Sequence, residues 1–287
     1  MGENTDQGGF ANVSATKTRN DENFPVASRL IPARLRPHVD CFYLCVRAAD
    51  DIADHAQMTP EEKMDRLTRF DDVLTEKITD PSAVPEAYAH LQSAGETGVT
   101  IDHARHLLQA FMMDVTKSRY RNWSELINYC RYSAAPVGRY LLDLHGEDDS
   151  AKPKTDALCI ALQILNHLQD CRNDYRELDR VYIPEDFLRA EGTNVEALDS
   201  SSASPEMRRV IDRILERTAT LLSDAANAPP MIVDRGLRME TSVIVCIARA
   251  LTRKLGRRDP IGARVELSKM QTLMCALSGV FRRGVLF

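Results

Sequence analysis

Apolar residues recur at intervals of three and four through most of the chain, and no stretch alternates with a period of two. This pattern predicts amphipathic helices and no β-sheet. Turn-forming residues separate the apolar segments, among them Asp80-Pro81-Ser82 and Pro229-Pro230. The first predicted helix begins at about Pro32 or Pro37 and ends at about His55, and the second opens at Thr59. Further helices are predicted over about residues 86–95, 101–117, 123–145, 154–180, 205–226, 231–256 and 260–281, with a short turn or helix near 184–193.

The two ends of the chain differ from this helical part. The first 22 residues are polar and lack the apolar core that a signal peptide requires. The longest nearly apolar run, residues 243–248, is far shorter than the roughly 20 residues of a membrane-spanning helix. We predict a disordered tail over residues 1–22, one all-α domain over residues 23–281 and a tail over residues 282–287. The expected location is the cytoplasm, and the basic, apolar C-terminal end leaves peripheral contact with a membrane open.

The composition fits a globular domain that does not bind nucleic acid. Apolar residues make up 44% of the chain, which is enough for a substantial core. The formal net charge is −5, whereas nucleic-acid binding calls for a basic face. The seven cysteines are scattered and never spaced as C-x-x-C, which predicts buried thiols rather than a disulfide framework or a zinc site.

An acidic cluster follows an apolar helical stretch near residue 50. Tyr43, Arg47, Asp50 and Asp54 are spaced by four, three and four residues, so they share one helix face. Carboxylates at this spacing repel each other, and burying them unpaired is unfavourable. Arg47 offsets part of this charge, and a divalent cation would offset the rest. Asp51 is expected to point away, either towards solvent or behind the metal site.

A second cluster repeats this arrangement on another predicted helix. Gln163, Asn166, Asp170 and Asp174 form a stripe at spacings of three and four, and His167 beside it is expected to be structural. Carboxylate and amide oxygens are ligands that Mg²⁺ prefers, together with water and substrate phosphates. Two such stripes facing each other would hold a diphosphate through bridging Mg²⁺ ions. The alternative is that each cluster is a solvated helix end whose acids pair with neighbouring bases.

The two stripes resemble the paired motifs of the squalene and phytoene synthase family. The residues that carry the resemblance are Tyr43-x-x-x-Arg47-x-x-Asp50-Asp51-x-x-Asp54, Gln163-x-x-Asn166-x-x-x-Asp170-x-x-x-Asp174 and Asp179-Arg180-Val-Tyr182-Ile-Pro184. The segment from Tyr129 to Gly138 occupies the place of the family's helix break, which lines its cavity. The resemblance spans about residues 22–277. It implies a single-domain, all-α isoprenoid synthase fold with a central cavity and an Mg²⁺-dependent reaction of isoprenoid diphosphates.

Three further segments are similar to the hydroxysqualene synthase branch of this family. They are Glu22-Asn-Phe-Pro-Val-Ala-Ser28, Asp114-Val-Thr-Lys117-Ser-Arg119-Tyr120 and Leu165-Asn-His-Leu-Gln-Asp-Cys-Arg-Asn-Asp-Tyr175. This similarity implies the conversion of presqualene diphosphate and water to hydroxysqualene and diphosphate on a bacterial route to squalene and hopanoids. The implied neighbours on that route are a presqualene diphosphate synthase and a hydroxysqualene reductase.

The resemblance also implies roles for individual residues. The expected Mg²⁺ ligands are Asp50, Asp54, Asp170 and Asp174. The expected substrate-binding residues are Arg47, Lys117, Arg172, Arg180, Tyr182 and Arg264. The expected catalytic residues are Tyr43, Arg47, Tyr129, Gln163 and Asn166, where aromatic faces would stabilise a carbocation and an amide would position water. Many family members carry serine where this chain has Asn23 and Pro25, so basic side chains would replace that phosphate contact.

Two other functions remain open at this point. The nearest is a head-to-head prenyl transferase that couples two prenyl diphosphates to presqualene diphosphate, squalene or a phytoene-like product. The other is a non-catalytic assembly factor with the same helical fold. The retention of all four outer aspartates argues against this second alternative.

Overall fold

The computed structural model describes residues 30–284, with side chains up to residue 278. In this range the chain forms helices and no β-strand, which confirms the all-α prediction. The bounds are α1 Arg36–Ala53, α2 Pro60–Leu74, α3 Pro85–Thr97, α4 Asp102–Thr116, α5 Trp123–Ser133, α6 Ala135–His145, α7 Lys152–Leu178, α8 Glu185–Ala190, α9 Pro205–Ala225, α10 Arg235–Leu255 and α11 Lys269–Gly284.

Helix α7 is the central element of the bundle. Its 27 residues extend over about 40 Å at 1.5 Å per residue. Buried apolar side chains cover most of its surface outside the polar stripe that begins at Gln163, so the helix needs neighbours on several sides. Helices α5, α6, α9 and α10 supply these neighbours. Their contacts build one of the two large apolar cores, which contains the fully buried Leu165 and Ile211.

Helix α1 organises the second core. It packs against α2, α3 and α4, and it buries Val39, Phe42 and Ala49. The ring of Phe42 stacks on Tyr140 from α6, with ring centroids 4.0 Å apart. Helix α6 contacts both α4 and α7, so it joins the two cores. The space that remains between α1 and α7 becomes the cavity described below.

The structure corrects two predicted helices. The helix predicted from the pattern over residues 123–145 is wrong as one element, because α5 ends at Ser133 and α6 begins at Ala135. This interruption falls within residues 129–138, where the family resemblance implied a helix break. Ala134 leaves the helical conformation, and Pro136 lacks the N–H that a continuous helix would need there. The predicted helix over 260–281 begins too early, because residues 261–268 form turns and extended chain before α11.

The start of α10 also lies later than predicted. The sequence pattern placed it at residue 231, but Pro229–Met231 forms a 3₁₀ turn and the helix begins at Arg235. Asp234 caps it by accepting a hydrogen bond from the Leu237 N–H at 2.8 Å. This side-chain cap fixes the boundary.

The predicted tails fall largely outside the described residues. Residues 1–22, together with Asn23 and Pro25, belong to the part that the structure does not describe, as do residues 285–287. The backbone of α11 continues to Gly284. Within residues 30–284, none of the helices combines the length and apolarity needed to cross a bilayer.

Gly138 allows the close approach of α6 to α7. A Cβ atom there would lie 2.6 Å from Thr155 Cγ2 and 2.7 Å from Cys159 Sγ. We expect Gly138→Ala to destabilise the fold by about 1–3 kcal/mol, the usual effect of overpacking a core. Urea unfolding would measure the change.

Gly95 in α3 supplies the matched control for this substitution. It is exposed, and a Cβ atom there would meet nothing within 4 Å. Gly95→Ala should therefore stabilise the fold by about 0.5–1 kcal/mol, because alanine loses less entropy in a helix. Equal effects of the two substitutions would contradict the close-packing argument.

Candidate active site

A cavity of about 350 Å³ lies between α1, α4, α6, α7 and α10. Its apolar lining comes from the early turns of α1 and α7 and from the helices between them: Val39, Phe42, Val46, Leu107, Phe111, Val137, Leu141, Leu158, Leu162, Leu237 and Ile244. Its charged lining comes mostly from the later turns of α1 and α7, with Arg180 after α7 and Arg264 before α11. Two further carboxyl groups line the cavity, Asp114 on α4 and Glu240 on α10. The cavity therefore joins an apolar chamber to a charged end.

Both acidic clusters line this cavity. Asp50 and Asp54 come from the end of α1, and Asp170 and Asp174 from the last turns of α7. In both helices the apolar residues that line the chamber precede the first acid by about one to three turns. The two helices therefore bring their carboxylates to the same end of the cavity, as the sequence predicted for facing stripes.

The acids lie at an electrostatically unfavourable end of α1. The partial negative charge of a helix dipole is at the C-terminus, and the last turn of α1 contains no basic residue. Arg47 compensates part of this charge: its guanidinium donates to Asp50 at 2.9 Å and also to Asp51. Asp51 is buried and does not line the cavity. It therefore fixes Arg47 from behind and does not face solvent.

Arg180 connects the two acidic helices. Its side chain is buried, and it donates to the Asp54 carboxylate and, at 2.8 Å, to the backbone oxygen of Ala53. Asp179, in the left-handed conformation, ends α7 and turns the chain towards α1. Burial opposes the charge of Arg180, but Tyr182, Asp54 and Asp114 outweigh burial and raise its pKa. Arg180 thus remains a cation within the site.

Arg264 pairs with the other cluster. Its Nε lies 3.1 Å from Asp170 Oδ1, and the side chain is 39% exposed. It comes from the non-helical segment between α10 and α11, which the sequence pattern had predicted as helix. Each of the three arginines pairs with one outer carboxylate: Arg47 with Asp50, Arg180 with Asp54 and Arg264 with Asp170. All three arginines line the charged end of the cavity.

The other predicted site residues divide into two groups. Tyr43, Tyr129, Gln163, Asn166 and Tyr182 line the cavity. Lys117 does not, because its Nζ lies 2.6 Å from Glu125 Oε1. Arg172 does not either, since it donates to the backbone oxygen of Ile261 at 3.1 Å. Lys117 and Arg172 therefore act in the packing of nearby segments in this structure.

Asp114 is a cavity residue to which the sequence analysis gave no role. It accepts hydrogen bonds from the hydroxyls of Tyr129 at 2.6 Å and Tyr182 at 2.9 Å. Burial raises the pKa of Asp114 to about 6, although Arg180 and the two hydroxyls act in the opposite direction. The spacing of Leu107, Phe111 and Asp114 on one face of α4 was the available signal, because it places the acid on the buried face.

The raised pKa of Asp114 predicts a pH-dependent contribution to stability. The folded protein holds the proton up to about pH 6, whereas the unfolded chain loses it near 3.8, the ordinary pKa of an aspartate. Raising the pH from about 4 to about 6 should therefore lower the free energy of unfolding, by roughly 3 kcal/mol at most. We expect Asp114→Asn to abolish this component in urea unfolding.

The comparison of Asp114→Asn with the parent chain at each pH isolates this carboxyl. Buried histidines such as His90, whose pKa is lowered to about 4 by burial, titrate in both proteins and cancel in the difference. A difference between the two proteins that stays constant from pH 4 to 7 would contradict the raised pKa.

His167 and the tyrosines form an aromatic wall. The His167 ring stacks on Tyr182 with centroids 3.6 Å apart, and Tyr129 lies at 6.0 Å. Burial lowers the pKa of His167 to about 3, so the imidazole is neutral at ordinary pH. Its Nε2 atom has no hydrogen-bond partner among the described residues. The wall is thus uncharged, and its three aromatic rings line the cavity, where a π system can attract a cation.

The donor set at the charged end fits Mg²⁺. All four outer acids supply oxygen ligands, and they stand on two helices that face one cavity. Within residues 30–284, no three histidine, cysteine or acidic side chains converge into a preformed metal cage. Mg²⁺ does not need such a cage, because it usually binds one or two carboxylates and completes its shell with water and substrate phosphates.

This helical architecture and cavity define an isoprenoid synthase. The chain matches the model of the squalene/phytoene synthase family over residues 17–271, and it belongs to that family. The family and the fold predicted from the sequence motifs are confirmed.

Two relatives with high sequence identity to this chain belong to the hydroxysqualene synthase branch of the family. The hydroxysqualene synthase of Rhodopseudomonas palustris is 45% identical over 92% of this chain and 89% of its own length. That of Sinorhizobium fredii is 43% identical over 88% of this chain and 86% of its own. The crystal structure of a squalene synthase from Alicyclobacillus acidocaldarius superimposes with a TM-score of 0.71 at 27% identity, covering 81% of this chain and 87% of that one.

Proposed function

We propose that this chain converts presqualene diphosphate and water into hydroxysqualene and diphosphate. A relative that is 45% identical to it is named hydroxysqualene synthase, which supports the proposed product. The observation that carries the proposal is the cavity itself. Four carboxylates and three arginines lie at one end, and an apolar chamber with an aromatic wall lies behind them. A diphosphate ester of a long hydrocarbon has the same division into a charged head and an apolar body.

The charged end would bind the head group. Asp50, Asp54, Asp170 and Asp174 would hold Mg²⁺, which supplies positive charge to the departing diphosphate when bound. Arg47 and Arg264 already stand at the carboxylates and would donate hydrogen bonds to phosphate oxygens. These contacts favour the state in which the carbon–oxygen bond breaks and both electrons leave with the diphosphate.

The chamber would protect the resulting carbocation. Its apolar side chains exclude bulk water, so capture by solvent at the wrong carbon is suppressed. The faces of Tyr129 and Tyr182 attract positive charge without reacting with it. Asp114 orients both tyrosines, because it accepts a hydrogen bond from each hydroxyl.

One water molecule must then reach the cation. Gln163 and Asn166 line the cavity on the same stripe as Asp170, and their amides would hold this water by hydrogen bonds. The water oxygen bonds to the cationic carbon, and one proton leaves to a neutral or anionic base. The released diphosphate would be the stronger acceptor, because burial lowers the pKa of His167 and makes its imidazole a weak base.

Product analysis tests the proposal. The purified chain with Mg²⁺ and presqualene diphosphate should form hydroxysqualene, and ¹⁸O-labelled water should place its label in the product. Farnesyl diphosphate alone should remain unchanged. Consumption of farnesyl diphosphate without a partner enzyme would favour the prenyl transferase instead, and no turnover of either substrate would favour the non-catalytic alternative.

This function places the chain between two others. The substrate would come from a presqualene diphosphate synthase, and the alcohol would pass to a hydroxysqualene reductase. Both neighbours, the Mg²⁺ requirement and the cytoplasmic location belong to the proposal.

A further inference from the structure

Helix α11 presents an apolar stripe to the outside of the molecule. Among the described residues, six large hydrophobic side chains are exposed, and four of them belong to this helix. They are Met270, Leu273, Met274 and Leu277, with 67%, 54%, 61% and 46% of their surfaces exposed. Their spacing of three, one and three residues puts them on a single face. Contiguous apolar surface of this kind marks an interaction site.

The opposite face of α11 is the one that packs on the protein. Cys275 is buried against Val243 and Ile247 of α10. The exposed stripe is therefore not the face by which α11 packs on the rest of the protein. It is a second apolar face on a helix that is already attached to the bundle.

The C-terminal part of the chain, which contains α11, differs in charge from the rest. Residues 249–287 contain nine basic side chains and two acidic ones, a net charge of +7, whereas residues 1–248 contain 28 basic and 40 acidic ones, a net charge of −12. Lys254 Nζ donates to Gln271 Oε1 at 3.2 Å and so places the basic end of α10 beside the first turn of α11. Arg253, Arg257 and Arg258 at that end are exposed.

We propose that the α11 stripe and its basic surroundings dock this protein on the surface of an anionic phospholipid bilayer. An apolar helix face with basic flanks has the composition of an interfacial helix, which lies in the plane of the headgroups. Each basic side chain near an anionic surface adds attraction that salt weakens. The 16 residues of α11 extend about 24 Å, less than the roughly 30 Å hydrocarbon core, so the helix lies on the bilayer.

A basic environment favours this occupant over a second copy of the chain. In a symmetric pair, the same basic residues from both copies would meet around the shared stripe and repel each other. An anionic lipid surface instead brings opposite charge to every copy. The inference does not depend on the proposed reaction, because binding to vesicles is measured without substrate.

Sedimentation with lipid vesicles tests the inference on the full-length chain. We expect binding to vesicles that contain about one third phosphatidylglycerol, weak binding to pure phosphatidylcholine, and release at high salt. Leu273→Glu/Met274→Glu should lower the partition coefficient by roughly tenfold or more, because it puts two charges into the apolar face.

The matched control is Gln271→Glu/Thr272→Glu, which adds the same two charges to the same helix outside the stripe. It should keep most of the binding. Met270→Gln/Leu277→Gln, which adds no charge, should reduce binding as well. Circular dichroism and the melting temperature would confirm that each variant is folded.

Three outcomes would overturn the inference. One is the absence of any vesicle binding by the parent chain. Another is an equal loss in the stripe variant and in its control, which would assign binding to charge alone. The third is a concentration-dependent dimer that Leu273→Glu/Met274→Glu dissociates, together with no preference for anionic vesicles. That result would identify a second copy as the occupant.

Discussion

Asp170→Asn should lower the turnover of presqualene diphosphate by about 10³-fold, the effect of losing one strong electrostatic contact to a developing charge. The substitution keeps the shape of the side chain but removes the negative charge that would hold Mg²⁺. The fold should change by less than about 1 kcal/mol, because the partner, Arg264, is 39% exposed and can be hydrated. Hydroxysqualene formation and urea unfolding would measure the two effects.

Asp156→Asn is the matched control for this prediction. Asp156 also lies on α7 and also accepts hydrogen bonds from an arginine, Arg139, at 2.9 and 2.6 Å. It does not line the cavity, so its loss should leave turnover nearly unchanged. Mg²⁺ with inorganic diphosphate should raise the melting temperature of the parent chain and of Asp156→Asn but not of Asp170→Asn. Full turnover by Asp170→Asn would show that the carboxylate of Asp170 is not needed for the reaction.

Arg180→Leu should destabilise the protein by about 3 kcal/mol, because it removes one partner from a buried network of charges. Asp54 would lose its ion pair and Ala53 its hydrogen bond. The pKa of Asp114 should rise further, since Arg180 is one of the groups that lower it. Urea unfolding between pH 5 and 8 would measure both changes.

Arg264→Leu provides the comparison for Arg180. Both arginines pair with a carboxylate at the charged end, but Arg264 is exposed and should contribute less than about 1 kcal/mol to stability. Arg180→Lys should recover part of the stability, because it keeps the charge but not the two-pronged geometry. Similar losses for both leucine variants would show that Arg180 does not connect the helices in the way described.

The local motifs gave the correct helices for the site. The stripes on α1 and α7 were predicted correctly because helical periodicity depends on residues three or four apart, which sequence shows directly. We expected the two stripes to meet at one cavity because both carry carboxylates that could bind the same metal ions. Their convergence required the packing of α4, α6 and α10 between two helices that are separated in the chain by residues 54–151.

Two of the expected substrate-binding side chains have partners that the sequence did not indicate. The Nζ of Lys117 lies 2.6 Å from Oε1 of Glu125, near the start of α5. The pKa of Glu125 is lowered to about 2, first by the hydrogen bond from Lys117. Arg172 turns instead towards the Ile261 carbonyl, which belongs to a segment predicted as helix. The residues near Lys117 and Arg172 in the sequence do not indicate which of several possible partners each side chain contacts.

The sequence by itself determined the helical class, the family and the two carboxylate stripes, because these depend on local periodicity and on short motifs. Only the tertiary structure decided which side chains share the cavity, since burial and pairing depend on residues far apart in the chain. Asp114 shows the difference: its position on α4 follows from sequence, but its raised pKa follows from burial among Tyr129, Tyr182 and Arg180. Desolvation is a property of the packed molecule, and it turns an ordinary acid into part of the site.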